Sequence, residues 1–322
     1  MNKIPIVNNK EWIKLNTFSR CKLYSMFSSS ANSITTDPSM MTIPIDDHLV
    51  HRGDGVFESF KCVNGNVYNL NAHIQRLKFS CEKISLNIPV CETSIKDIVV
   101  QTIKAGGNLN ASIRLLISRG TGTMGIDPYE CTGEVLYVIV YAINKVLEKS
   151  SDIESAKIAL SSIPVKPGFL AKVKSCNYLT NVLMKIEEKE LNVDYVISQD
   201  TDNNIAEGAT ENIGIVTRDN RLLTPLPEKV LPGTTAKRII TLAQQLVAEG
   251  YLKEACYSNF NKQQLLEASE IHIYGTTQGV VSVDQVDDIT IGVEKIGPIA
   301  RKLFQLLKDD KVPENTILTK VF

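Results

Sequence analysis

The chain has 322 residues, 43% hydrophobic and 22% charged, with 35 Lys plus Arg against 36 Asp plus Glu. At roughly 150 residues per domain this length gives about two domains with sizeable cores, and a net charge of −1 leaves no field to gather nucleic acid or an anionic membrane. The longest strongly apolar run, 136–143, falls far short of the roughly 20 residues that span a bilayer, and seven scattered cysteines without a CxxC pair indicate neither a disulfide framework nor a zinc site.

Residues 1–32 read as an N-terminal extension. They hold Lys and Arg but no long apolar segment ahead of a small-residue cleavage site, so no secretory leader is expected. With those cysteines a reducing compartment is expected, the cytoplasm, with organellar targeting left open. A hairpin is predicted over 57–63 and 67–70 across Asn64-Gly65-Asn66. A helix capped by Asn71 follows, in which Ile74, Leu77, Cys81 and Ile84 recur at helical spacing before Pro89. A second helix covers 94–104, with Ile95, Ile98, Val99 and Ile103 on one face, and strands rich in Val, Ile and Leu follow at 113–118 and 135–143. The polar stretch 144–154 breaks this pattern. It sets a small α/β domain at 33–145, a linker at 146–156 and a larger domain at 157–322.

The second half alternates. Strands are predicted at 158–165, 194–198, 212–217 and 270–274, with a helix over 178–191. Another helix starts near Thr235, with Ile239, Ile240, Ala243, Leu246 and Val247 inward and Gly250 as its stop, and Ile299, Leu303, Phe304 and Leu307 mark a last one. Both halves mix helix and strand, so an α+β fold with largely antiparallel pairing is expected.

Gly233-Thr234-Thr235 directly precedes a predicted helix, where open backbone N–H groups and the positive end of the dipole suit an anion such as phosphate. Gly275-Thr276-Thr277 follows a strand and can offer its hydroxyls to the same anion. Each triplet alone reads more simply as a turn with Thr as helix cap. Lys174, in AKVKSCNYL, is flanked by apolar and small residues; a desolvated lysine there becomes a usable amine nucleophile, whereas on a surface it is only a solvated charge. Glu207, in Asn204-Ile205-Ala206-Glu207-Gly208, reads by itself as a turn carboxylate, and Arg52-Gly53-Asp54-Gly55 as a tight polar turn. The four histidines and Cys176 form no metal or nucleophile constellation, so no metal is expected, and neither GxGxxG nor GxxxxGK[ST] occurs.

Taken in order, HRGDGVFESF, HIQRLKFSCEKI, VKSCNYLTNVL, NIAEGATENIGIV, VLPGTTAKRI and IYGTTQGVVSV resemble the motifs of the fold-type IV pyridoxal-phosphate enzymes, over 36–307. That family contains branched-chain aminotransferases, D-amino-acid aminotransferases and aminodeoxychorismate lyases. The resemblance implies a two-domain α+β fold with pyridoxal 5′-phosphate in the seam, and a homodimer that lends a loop to each neighbouring site. Residue by residue, Lys174 matches the lysine that bonds the cofactor and shuttles the proton between Cα and C4′. Glu207 matches the carboxylate that keeps the pyridinium nitrogen protonated. Arg76, Thr234, Thr235 and Thr276 match the phosphate cup. Tyr178 matches the residue at the ring hydroxyl, although the Lys-to-Tyr spacing is one shorter than in some branched-chain enzymes.

Substrate signals divide within the family. Phe57 resembles the branched-chain type and Lys61 the D-amino-acid type. Arg119, in Ser118-Arg119-Gly120, resembles an arginine that pairs with a substrate carboxylate, but Thr121 stands where a histidine is expected. Arg114 and Met124-Gly125-Ile126-Asp127-Pro128 look like the branched-chain type, but Ser112 stands where a tyrosine is expected. Thr277 completes the substrate set, and 37–55 resembles a plant-type branch of D-amino-acid aminotransferases. The activity implied is transfer of an amino group between a D-amino or branched-chain amino acid and a 2-oxo acid. A lyase releasing pyruvate to give 4-aminobenzoate, and a non-catalytic cofactor-binding module, stand as alternatives.

Overall fold

A computed structural model describes residues 8, 11, 21–143, 152–312 and 317–322. The first half contains strands β1 (Leu23–Ser28) and β2 (Ser33–Thr35), helix α1 (His48–Arg52), strands β3 (Gly55–Val63) and β4 (Asn66–Tyr68), helices α2 (Leu70–Lys83) and α3 (Glu92–Gly106), and strands β5 (Ala111–Ser118) and β6 (Val135–Tyr141). The second half contains β7 (Ser155–Leu160), α4 (Leu179–Glu190), β8 (Tyr195–Gln199), β9 (Ile205–Gly208), β10 (Asn212–Val216), β11 (Arg221–Thr224), α5 (Thr234–Ala248) and β12 (Glu254–Tyr257). It continues with α6 (Lys262–Leu266), β13 (Glu270–Gly275), β14 (Gly279–Val286), β15 (Ile289–Thr290), α7 (Pro298–Asp309) and β16 (Leu318–Lys320).

The first sheet runs β16-β4-β3-β5-β6-β1-β2, antiparallel throughout. The second runs β12-β11-β10-β13-β14-β7-β8-β9, and β9 also pairs β10, closing part of it on itself. The antiparallel expectation fails at three pairs there: β11 with β12, β14 with β7, and β7 with β8 run parallel, and a helix rather than a hairpin carries the chain from β11 to β12 and from β7 to β8.

Strand period decides which residues meet the site. On β5, Ala111, Ile113, Leu115 and Ile117 are fully buried against Ile74, Leu77, Ile95, Val99 and Ile103 of α2 and α3. The alternate residues Ser112 and Arg114 therefore emerge on the opposite face, where the register sets them beside Lys61 and Ser59 of β3. A second core joins β13, β14, β10 and β7 through Ile271, Ile273, Val283, Ile215 and Ile158.

Several boundaries differ from those expected. β1, inside the supposed extension 1–32, is an interior strand of the first sheet, and β16 brings the chain end back to that sheet from the segment 157–322. Residues 144–151, most of the expected linker 146–156, lie outside the described residues, and β7 already begins at Ser155. The cap of α2 is Asn69, left-handed at φ 55°, rather than Asn71. Among the described residues no helix is long and apolar enough to cross a membrane, and no cluster of three or more His, Cys, Asp or Glu could hold a metal.

Candidate active site

A cavity of about 600 Å³ opens between the two sheets. Phe57, Lys61, Arg76 and Arg114 line it from the first sheet and α2; Lys174, Tyr178, Thr234, Thr235, Thr276 and Thr277 line it from the second half. The structure thus gathers ten of the expected site residues around one space. Glu207 stands just behind the wall: its Oε2 accepts the backbone N–H of Leu231, itself a lining residue, at 3.0 Å.

Lys174 is pinned through its main chain. Its carbonyl accepts from Phe57 N at 2.9 Å and its N–H donates to Ser80 Oγ at 3.2 Å, so β3 and α2 fix where the side chain starts. The residue is 8% exposed. Its Nζ donates to Tyr178 Oη at 3.3 Å and lies 4.7 Å from the Phe57 ring centroid, with Phe57 and Tyr178 packed edge to face. Burial, then the Arg76 guanidinium, lowers the amine to about 8 against the pull of Glu58 and Glu207. An amine so placed is a substantial fraction neutral near pH 7–8 and therefore nucleophilic. Burial raises Glu207 to about 7, opposed by the Leu231 N–H and by Lys174, Lys166 and Arg76. Burial and Glu207 together push the Tyr178 phenol above its ordinary value.

The threonine cup forms where α5 begins. Gly233 is the N-cap and no side chain caps that end, so the first-turn N–H groups are open to a ligand. Glycine is required at 233 because a Cβ there would overlap Asn212 Oδ1. Thr234 and Thr235 start the helix, and Thr276 approaches from the turn between β13 and β14. Arg76 reaches the same cavity from α2 and also donates to the Pro232 carbonyl at 3.2 Å.

Two residues that the sequence motifs do not single out hold Arg76 in place. Glu58, fully buried on β3, accepts Arg76 Nε at 2.7 Å and Nη2 at 2.8 Å, and bonds His73 Nδ1 at 2.6 Å. Burial opposes its ionisation, but Arg76 and then His73 outweigh that and hold the carboxyl at about 2. Burial keeps His73 below its usual value, hence neutral. A signal for them exists in the sequence: Glu58 shares the core-facing register of Val56, Phe60 and Cys62, where an ion demands partners, and His73 and Arg76 stand three apart on one helix face. Glu58→Ala should destabilise the protein by about 3–5 kcal/mol, measured by denaturant unfolding, because it strands a buried guanidinium.

Arg119 is a correction. It does not line the cavity: Nε and Nη2 bond Asp54 at 3.0 and 3.1 Å, Nη1 donates to the Ser85 carbonyl at 2.6 Å, and Nη2 to that of Ile84 at 2.9 Å. It ties the 52–55 turn to the end of α2, and with four of its five N–H donors spent on these bonds and none facing the cavity it presents no bidentate fork to a substrate carboxylate. Arg119→Ala should lower Tm while leaving KM within about twofold of wild type, since contacts remote from the cavity act on stability.

Residues 55–286 match the family model for amino-transferase class IV. The chain is 38% identical over 291 residues to a chloroplastic D-amino-acid transaminase of Arabidopsis thaliana, covering 89% of this chain and 76% of that one. It is 28% identical over 278 residues to a branched-chain-amino-acid aminotransferase of Escherichia coli K12, covering 82% and 86%. In fold it is similar to a branched-chain aminotransferase from the thermophilic archaeon Thermoproteus uzoniensis, solved with norvaline, at TM-score 0.81 and 22% identity over 93% of this chain and 100% of that one. The fold is that of the fold-type IV enzymes. The chain belongs to the class IV aminotransferases and is a transaminase, moving an amino group between an amino acid and a 2-oxo acid.

Proposed function

We propose that the cavity binds pyridoxal 5′-phosphate and transfers the amino group of a D-amino or branched-chain amino acid to a 2-oxo acid. One observation carries this reading: a buried Lys174 amine of lowered proton affinity shares a cavity with an uncapped helix N-terminus, while the Glu207 carboxylate stands behind the wall at Leu231. The donor set fits the group. Arg76, the α5 N–H groups, Thr234, Thr235 and Thr276 would hold the phosphate, Glu207 would face the ring nitrogen, Tyr178 the ring hydroxyl, and Lys174 would bond the aldehyde carbon. When bound, the cofactor supplies an electron sink for the carbanion left by Cα deprotonation.

The chain's own residues supply the proton chemistry. Lys174 Nζ would serve as the base that takes and returns the substrate Cα proton; an amine whose proton affinity lies near the working pH suits both directions. Tyr178 Oη, 3.3 Å from Nζ, aims the amine. Glu207 Oε would share a proton with the ring nitrogen of the bound cofactor. Phe57 and Tyr178, packed edge to face, give the wall beside the amine an apolar surface.

Arg114 is the candidate for the substrate carboxylate. Its guanidinium lies 4.8 Å from the Phe57 ring centroid, and no carboxylate pairs with it among the described residues. Arg114→Ala should raise KM for the amino donor at least about tenfold, the loss of one charge-assisted pair, in steady-state assays. The 38% identity to a D-amino-acid transaminase supports trying D-alanine beside L-leucine. Bleaching of the cofactor's visible band by neither donor would sink the reading. Pyruvate release from aminodeoxychorismate without an oxo acid would assign the lyase instead.

A homodimer belongs to the same reading. Leu179, Val182, Leu183 and Ile186 of α4 are 42–65% exposed at i, i+3, i+4 and i+7 spacing, an apolar stripe that begins beside Tyr178 and suits a second copy. A reducing compartment, cytoplasm or organelle, suits the scattered cysteines.

A further inference from the structure

Glu211 lies outside the cavity lining and is 4% exposed, yet its carboxylate gathers lining residues from two different turns. Thr210, between β9 and β10, donates its backbone N–H to Glu211 Oε2 at 2.8 Å and its hydroxyl to Oε1. Gln278, between β13 and β14, donates Nε2 to Oε1 at 3.0 Å. Lys185 Nζ of α4 stands 3.7 Å from the same oxygen. The carboxylate accepts only, so it fixes the Gln278 amide with Nε2 towards itself and Oε1 turned away. That Oε1 lies over Gly275, where a Cβ would come within 2.6 Å of it.

We infer that Glu211 is a positioning residue for substrate binding: by clamping Gln278 and Thr210 it fixes the part of the cavity wall that the two turns build. Gln278 then lines the cavity as an amide of one fixed orientation in place of a rotating one. Glu211 bonds these two residues and touches neither the threonines of the phosphate cup nor Lys174. The inference rests on the transaminase reading and adds a determinant of substrate affinity to it.

The test is a reciprocal exchange in the cofactor-loaded enzyme. Glu211→Gln sets two amides face to face, Gln278→Glu sets two carboxylates, and the double variant restores one of each with the roles reversed. Each single variant should raise KM for the amino donor about tenfold, with kcat and the cofactor's visible band within about twofold, and the double variant should recover KM to within about threefold. Gln278→Ala, at a half-buried position, should give the same rise in KM even where a change at buried Glu211 impairs folding. Unchanged KM in the Gln278 variants, a fall in kcat with KM unmoved, or a folded double variant that does not recover would each overturn the inference. A wild-type protein with no cofactor band and no turnover would instead overturn the transaminase reading, before any variant is compared.

Discussion

Replacing Lys174 by alanine is expected to abolish turnover, with kcat lower by at least about 10³-fold, because one amine serves both as the bond to the cofactor and as the base that moves the Cα proton. The visible absorbance of lysine-bound cofactor should vanish with it. The fold should survive, since the bonds that anchor this segment are main-chain: Phe57 N to the Lys174 carbonyl, Lys174 N to Ser80 Oγ, and Cys176 N to the Gly55 carbonyl. Circular dichroism and denaturant unfolding check the fold while absorbance checks the cofactor. An inactive variant that had unfolded would say nothing for Lys174; an active one would move the base elsewhere.

Glu207→Gln is expected to lower kcat by about 10²–10³-fold, because a neutral amide cannot hold a proton on the ring nitrogen through the carbanion stage. The same residue makes a prediction free of the cofactor. Burial raises Glu207 from 4.5 to about 7 in the folded protein, so the folded state binds this proton more tightly than the unfolded one. Its contribution to stability is therefore fully present below 4.5 and lost as pH rises through 7. Lys174 has the opposite sign. Lowered from 10.5 to about 8, it contributes stability present above 10.5 and lost as pH falls through 8. Cofactor-free Glu207→Gln should accordingly lack the Glu207 contribution to the fall in stability between pH 4.5 and 7, read as the difference between wild-type and variant denaturant unfolding across that range. It should also shift the Lys174 amine below 8, because the Glu207 charge is one of the groups holding it up. A methylation-labelled amine titrated by NMR would show this, and an unmoved value would mean the two groups do not interact.

The parts of the site visible in the sequence are those written into local chemistry. Glycine followed by two threonines ahead of a helical pattern announces an N-terminus, and α5 begins at Thr234. Apolar periodicity at 95–103 and at 299–307 likewise matches the buried faces of α3 and α7, because those helices each present one stripe to a core. The Glu58, His73 and Arg76 triad is not legible in the same way, since its meaning depends on which helix covers the core-facing side of β3, a non-local fact. Strands β1 and β16 escape for a related reason: their pairing partners, β6 and β4, lie far away along the chain, and β16 is only three residues long. Arg119 is misplaced by its motif because such a match does not reveal that Asp54 and two carbonyls already occupy four of its donors outside the cavity.

The most direct measurement of the central claim is chemical. Cofactor-free protein is mixed with pyridoxal 5′-phosphate, reduced with borohydride, digested and mapped by mass spectrometry. The expected result is the reduced cofactor on the peptide carrying Lys174 and on no other. Label on Lys166 or Lys61, or no stoichiometric label at all, would contradict the assignment of Lys174 as the residue on which this site is built.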